Sequence, residues 1–278
     1  MFKKLFIAFS FIFMLAVVPA HAADKYEGYE LPVDIQVNGT FIRCAKKPFM
    51  ENNVTYIPLR AFADATCAQI NWDEPTKTAT MVKDGRRLEF CHLKKYCVVD
   101  GVKYPLTVIN RDNLLFVPVR AISTALGYGV SWDDCYFTVK ITAPNVTVPN
   151  HARDFSYTYD DILYLGKITM LESGSQGLKT KIGICNTVLN RVQSGSFPNT
   201  VKEVIYDKKY GTQFPPVFTE LMNKTPSREC FIAAKCALNG VNLVGDSLYF
   251  ISTKAAPSSW AHKNRKYYTT IGNMAFYL

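Results

Sequence analysis

The sequence predicts an α+β protein in two parts, a sheet-rich repeated accessory domain followed by a mainly helical one. Two observations carry that division. Residues 53–82 (NVTYIPLRAFADATCAQINWDEPTKTATMV) and 113–142 (NLLFVPVRAISTALGYGVSWDDCYFTVKIT) answer one another at an offset of 60. Beyond residue 158 the chain holds no repeat of its own, and its apolar positions recur three and four apart, the spacing of one helix face.

The chain opens MFKKLFIAFSFIFMLAVVPAHA. Lys3 and Lys4 precede an apolar run from Leu5 to Val18, and Ala20-His21-Ala22 supplies small residues for cleavage, so residues 1–22 read as a secretory signal peptide. No other stretch approaches the roughly 20 apolar residues needed to span a bilayer. The mature protein is therefore expected to be exported, without a transmembrane segment, and soluble or held in the wall.

Net charge is +9, with the positive excess on the second half. No concentrated basic run marks a nucleic-acid surface, and export argues against that partner. Anionic wall polymers suit the compartment better. The eight cysteines permit disulfides in an exported protein, with free buried thiols as the alternative. No Cys-x-x-Cys pair or compact histidine pattern predicts zinc, so neither a metal nor a cofactor is expected.

Within the repeat, Asn53, Pro58, Arg60, Ala61, Ala65, Trp72, Asp73 and Thr78 recur as Asn113, Pro118, Arg120, Ala121, Ala125, Trp132, Asp133 and Thr138. Each unit reads as a strand ending at the proline, a helix from the arginine to Cys67 or Leu126, a strand to the Trp-Asp turn, and a further strand. Proline belongs at a helix start, where its missing N–H costs least. Asn38-Gly39 and Asp100-Gly101 signal a hairpin ahead of each unit. Trp72 and Trp132 are expected as core plugs, with stacking on a sugar face as the alternative, and Arg60 and Arg120 as helix-start or ion-pairing residues. Residues 143–157, with Pro144 and Pro149, read as a linker.

In the second half, Thr158 and Asp161 make a helix cap. The helix that follows puts Ile162, Leu165, Ile168 and Thr169 on one face and ends with Glu172 on that same face. A carboxylate on the core side is expensive to ionise, which suits it to donating a proton. Ser173 to Gly177 has turn composition. Further helices are expected over Lys181–Gln193, after Thr200, and from Thr225-Pro226 to Asn239-Gly240; residues 247–278 read as short apolar and aromatic pieces between polar loops. Other chemistries find no support: His262 lies in no nucleophile-elbow context, and neither a phosphate-cradling glycine loop nor an HExxH pattern occurs.

The repeated YIPLRAFADATCAQINWDEPTKTAT and FVPVRAISTALGYGVSWDDCYFTVKI resemble the amino-terminal domain of copper amine oxidases over residues 31–142. That resemblance implies a sheet-rich stalk, possible attachment to a wall or spore-coat protein, and no copper chemistry. ILYLGKITMLESGSQG, LNRVQSGSFPNTVKEVIY, AAKCALNGVN, DSLYF, SSW and TTIGNMAFY resemble the spore-cortex-lytic cell wall hydrolases, over residues 160–278, within a domain expected to span 158–278. It implies a lysozyme-like, lytic-transglycosylase-like fold acting on peptidoglycan glycan strands, with the catalytic glutamate at Glu172. Ser173, Gln213, Tyr249, Trp260 and Asn273 are the expected substrate contacts. The chain departs from the family pattern at Gln176, usually acidic, at Ile251-Ser252-Thr253, and at Met274, usually histidine.

Those departures leave three functions to weigh. The first is a lytic transglycosylase, which needs one carboxylate and yields 1,6-anhydromuramoyl ends. The second is a water-inserting muramidase or glucosaminidase, whose second carboxylate would come from Glu203, Asp207, Glu220 or Asp246. The third is an inactive wall-binding protein.

Overall fold

The computed structural model describes residues 25–26, 28–209 and 211–278; the expected signal peptide, residues 1–22, lies outside them. A short ribbon, β1 (Lys25–Tyr26) with β2 (Tyr29–Glu30), precedes β3 (Asp34–Val37), β4 (Thr40–Phe41), β5 (Phe49–Glu51) and β6 (Val54–Pro58). After helix α1 (Leu59–Thr66) come β7 (Gln69–Asp73), β8 (Thr78–Lys83), β9 (Arg86–Cys91), β10 (Tyr96–Val99) and β11 (Val102–Pro105). These five make one antiparallel sheet in the order β11-β10-β9-β8-β7. The second copy supplies β12 (Ile109–Arg111), β13 (Leu114–Pro118), α2 (Val119–Ala125), β14 (Gly129–Asp133) and β15 (Thr138–Thr142).

The repeat is symmetric at its centre and shared at its ends. β6 and β13, the strands that end in Pro58 and Pro118, pair with each other inside the sheet β12-β13-β6-β5. Each proline closes its strand and caps the helix behind it with φ near −60°. β3 crosses to the far copy and lies parallel to β15, completing the sheet β14-β15-β3-β4. Ile35, Ile57, Phe62, Met81, Val117, Ile122 and Ile141 fill the core between these layers.

The two tryptophans differ in burial. Trp132 is half-buried and lies edge-on to Phe137, where it packs against the second half of the chain as well. Trp72 is 41% exposed, so it is no core plug: among the described residues nothing from the second half covers it. Arg60 and Arg120 are exposed in the first turns of α1 and α2.

The second half is built on α3 (Tyr159–Ser173), α4 (Leu178–Gln193), α5 (Val201–Tyr206) and α6 (Arg228–Leu238). The expected capping box is present: Thr158 N–H donates to Asp161 Oδ2 at 2.7 Å, and Asp161 N–H to Thr158 Oγ1 at 3.2 Å. Ile162, Leu165, Ile168 and Thr169 are fully buried against α4 and α6. Residues read as disconnected apolar pieces form a sheet instead. β16 (Tyr249–Ser252), β17 (Tyr267–Ile271) and β18 (Met274–Tyr277) pair antiparallel in the order β16-β18-β17, with the short helix α7 (Trp260–Asn264) between the first two in sequence. Phe276 carries this sheet into the helical core, and it meets α4 where Gly183 has no side chain; a Cβ there would stand 2.8 Å from the Phe276 ring.

The two halves share a joint rather than a loose tether. Residues 143–157 lie along the repeat, with Val146, Val148 and Ala152 in its core and the Asn38 side chain donating to the Ala143 and Val146 carbonyls. At the far end Tyr157 enters the second core and donates its hydroxyl to Asp34 at 2.8 Å. Lys235 of α6, wholly buried, reaches the same Asp34 carboxylate at 2.7 Å and donates to the Tyr136 carbonyl at 2.8 Å. Tyr159, the first residue of α3, packs on Phe41 and Tyr136. Among the described residues no helix is long and apolar enough to cross a membrane.

Candidate active site

Glu172 lies one residue from the C-terminal end of α3, about 20 Å along the helix from Tyr159 and the joint. Its position follows from the helical period, which carries the buried stripe Ile162, Leu165, Ile168, Thr169 onward to residue 172. Half-buried, the side chain has one carboxylate oxygen, Oε1, enclosed without a hydrogen-bond partner. Burial holds its pKa above the ordinary carboxylate range, and no neighbouring charge contributes to that shift. Such a group retains a proton where a solvated glutamate has lost it.

The chain leaves the helix through Gly174, which takes φ +54°, and turns into α4. Ser173 is still helical and buried, and its hydroxyl donates to the Thr169 carbonyl. It therefore supports the end of α3 from inside. Gln176 holds the turn against the sheet: its Oε1 accepts from Asn273 N–H at 3.2 Å, and its carbonyl accepts from the Lys181 ammonium. Thr180 adds a bond to the Ile271 carbonyl at 3.4 Å. Asn273 is thus brought to the same turn that follows Glu172. Gly272 makes this possible, since with φ +58° a Cβ would meet Gln176 Oε1 and Thr180 Oγ1 at 2.6 Å each.

Tyr249 and Trp260 gather elsewhere. Tyr249 pairs with Tyr277 whereas Ser252 pairs with Met274, which puts Tyr249 about 10 Å along the sheet from the Asn273 end. Its ring lies edge-on to Trp260 at 5.7 Å, and the Arg265 guanidinium covers both rings and donates to the Tyr249 hydroxyl at 3.1 Å. Trp260 is 56% exposed, so an aromatic face remains open to a sugar ring. Gln213 is half-buried and donates to the Gly211 carbonyl; the adjacent Phe214 stacks on Phe250.

Three residues outside the sequence-derived site shape it. Arg191 is almost wholly buried, donates to the Leu248 carbonyl at 2.7 Å, and is enclosed by Phe197, Phe214 and Tyr249, which fixes the start of β16. Burial lowers its pKa to about 10. Lys181 pairs with Glu229 at 2.8 Å, so that carboxylate is neutralised beside the Gln176 turn. Neither burial was visible in sequence, because arginine and lysine on helices ordinarily face water. Among the other carboxylates, Glu203 accepts from Thr200 in a helix cap and Asp207 from Lys209 N–H. Among the described residues no group of three or more His, Cys, Asp or Glu could hold a metal ion, and all eight cysteines are free thiols.

Comparison with known proteins defines the class. Residues 175–277 match the family model Cell Wall Hydrolase, beginning three positions after Glu172, and residues 36–141 match the copper amine oxidase N-terminal domain. The chain is 31% identical over 113 residues to the spore cortex-lytic enzyme of Bacillus cereus, a stretch that is 41% of this chain and 40% of that protein. It is 26% identical over 117 residues to the spore cortex-lytic enzyme of Oceanobacillus iheyensis, 42% of this chain and 40% of the relative. The chain thus spans about two fifths of the length of these curated relatives. Among solved structures, the catalytic domain of the germination-specific lytic transglycosylase SleB from Bacillus anthracis is similar at 29% identity with a TM-score of 0.40, over 47% of this chain and all of that one. The Bacillus cereus SleB catalytic domain gives 27% identity and the same TM-score of 0.40, over 45% of this chain and 94% of that one. The protein therefore joins a cell-wall-hydrolase-type domain to a copper-amine-oxidase-like N-terminal domain. More narrowly, its second half is similar in sequence to the spore cortex-lytic enzymes of Bacillus cereus and Oceanobacillus iheyensis.

Proposed function

We propose that this chain is an exported lytic transglycosylase that cleaves the bond between muramic acid and N-acetylglucosamine in peptidoglycan, with spore cortex as the substrate. Residues 1–22 are removed as a signal peptide, 31–142 form the stalk, 143–157 connect it, and 158–278 carry the chemistry. Glu172 enters the reaction protonated and gives its proton to the glycosidic oxygen. As the carboxylate it then takes the proton of the muramoyl C6 hydroxyl, whose oxygen closes onto C1 to give the 1,6-anhydro end. Asn273 contacts the sugar beside the acid, Tyr249 and Trp260 stack a more distant ring, and Gln213 borders the loop. Ser173 acts through the backbone of α3.

One observation carries the reading: burial alone raises the pKa of Glu172. A retaining hydrolase holds its two carboxyl groups about 5–5.5 Å apart, close enough for the second charge to contribute to the shift. A single acid suffices when the substrate's own hydroxyl is the nucleophile. The similarity to spore cortex-lytic enzymes supports the substrate and a location in the wall or spore cortex and coat.

Muropeptide mass spectrometry after incubation with spore cortex and with vegetative peptidoglycan tests the proposal, using the protein beside its Glu172→Gln variant. Anhydromuramoyl ends from the first and none from the second are expected. Reducing ends from the unmodified protein would assign a water-inserting hydrolase, and binding without products would assign a wall-binding protein.

A further inference from the structure

The segment that builds the three-stranded sheet carries charge of one sign. From Ser247 to Leu278 the chain holds Lys254, Lys263, Arg265 and Lys266 and neither aspartate nor glutamate. All four side chains are exposed, and none has a carboxylate partner among the described residues. Cations gathered without counter-charges concentrate positive potential on one face.

Two of them stand with the open aromatic rings. Lys263 lies three residues after Trp260 on α7 and so shares its side of the helix. The Arg265 guanidinium stands 4.8 Å from the Tyr249 ring centre and 4.9 Å from that of Trp260, which orients it. Its one hydrogen bond among the described residues goes to the Tyr249 hydroxyl, and its remaining donors are unused. A second guanidinium, that of buried Arg191, approaches the Tyr249 ring at 5.7 Å. Rings alone would serve to stack a neutral sugar. A ring edged by free cations selects one that bears an anion.

Peptidoglycan contains such a sugar at every second position. Muramic acid carries a lactyl ether that ends in a carboxylate, or in a peptide that has its own, whereas N-acetylglucosamine is uncharged. Tyr249 lies about 10 Å along the sheet from the Asn273 end, the length of a disaccharide. A strand with one muramic acid beside Asn273 therefore brings the next to the Trp260 face.

We propose that this face is a specificity site for an acidic sugar: Trp260 stacks a muramic acid two sugars from the one that is cleaved, and Arg265 and Lys263 take the carboxylate of its side chain. The inference rests on peptidoglycan being the substrate.

The test measures binding of labelled glycan strands to the Glu172→Gln protein by anisotropy. Peptide-free strands with intact lactyl carboxylates are compared with the same strands converted to amides, and peptide-bearing strands with their amides. The acidic form should bind about tenfold tighter, the gain of one charge-assisted contact; whichever pair shows the preference identifies the carboxylate as lactyl or peptidyl. The preference should disappear in Lys263→Gln/Arg265→Gln, survive in part in Arg265→Lys, and persist in Lys94→Gln/Lys95→Gln, which removes the same charge from the exposed surface of the other domain. Equal affinity for acidic and amidated strands of both kinds overturns the proposal. So does an equal loss in the Lys94/Lys95 variant, which would reduce the effect to net charge, or displacement by poly(glycerol phosphate) at lower concentration than by strands, which would make this a phosphodiester site. Binding and cleavage fail separately: strands that bind with the preference but are never cut by the unmodified protein sink the catalytic reading alone, and strands cut to anhydro ends without any preference sink this inference alone.

Discussion

Lys235 and Asp34, from opposite ends of the chain, meet at 2.7 Å with the lysine fully enclosed. The charge is buried at the joint between the halves, where it also satisfies the carbonyls of Tyr136 and Phe137. Removing one partner leaves the other uncompensated, so Lys235→Ala should cost about 3–5 kcal/mol in urea unfolding. The double change Asp34→Asn/Lys235→Met should recover much of that. Two separate unfolding transitions in the unmodified protein would contradict a shared joint.

Glu172 should act against stability at neutral pH. Its folded pKa is raised, so between the unfolded and folded values the native state binds more protons, and stability falls as pH rises through that window. Glu172→Gln removes the charge and should stabilise the protein by up to about 1 kcal/mol at pH 7, since the site is only half-buried, and by nothing at pH 3. Thermal unfolding at the two pH values checks the sign. Cleavage by the unmodified protein should in turn decline on the alkaline side as the acid form is lost.

Gly272 is expected to tolerate no side chain. Gly272→Ala forces apart the hairpin turn and the Gln176–Thr180 segment, and adds strain at positive φ. Cleavage should fall about tenfold or more with helix content unchanged, as expected when a site loosens by an ångström.

Gln176→Glu keeps an oxygen to accept the Asn273 N–H, so the fold and the anhydro product should both persist. A switch to reducing ends would mean that a carboxylate at this position recruits water.

Gly183→Ala should destabilise by about 1–3 kcal/mol, because the new methyl must displace the Phe276 ring from a filled core. Urea unfolding with an unchanged midpoint would show that the ring moves freely.

Most local elements were legible. The strands ending in Pro58 and Pro118, both repeat helices, and α3 with its Thr158–Asp161 cap stand within a residue or two of their expected bounds. Glu172 was legible as a carboxylate at the end of a buried stripe. β17 and β18 were not, although the β-branched and aromatic runs flanking Gly272-Asn273 carry a hairpin signal that reading them as loose pieces ignored. Lys235 and Arg191 were hidden for a different reason: their partners lie far away in sequence, and only tertiary packing turns such side chains inward. Likewise nothing local distinguishes Trp72 from Trp132, which differ through the neighbour one of them has.

The crossing of β3 to the far copy sets a schedule. Asp34 is made early, yet its strand cannot be completed until β15 exists at Thr138–Thr142, and its carboxylate waits longer still for Lys235. A growing chain therefore holds an unsatisfied strand edge until β15 has been made. β3 is thus made early and settles late, so a chain interrupted before α6 leaves the Asp34 carboxylate without Lys235 at the seam that the finished protein closes.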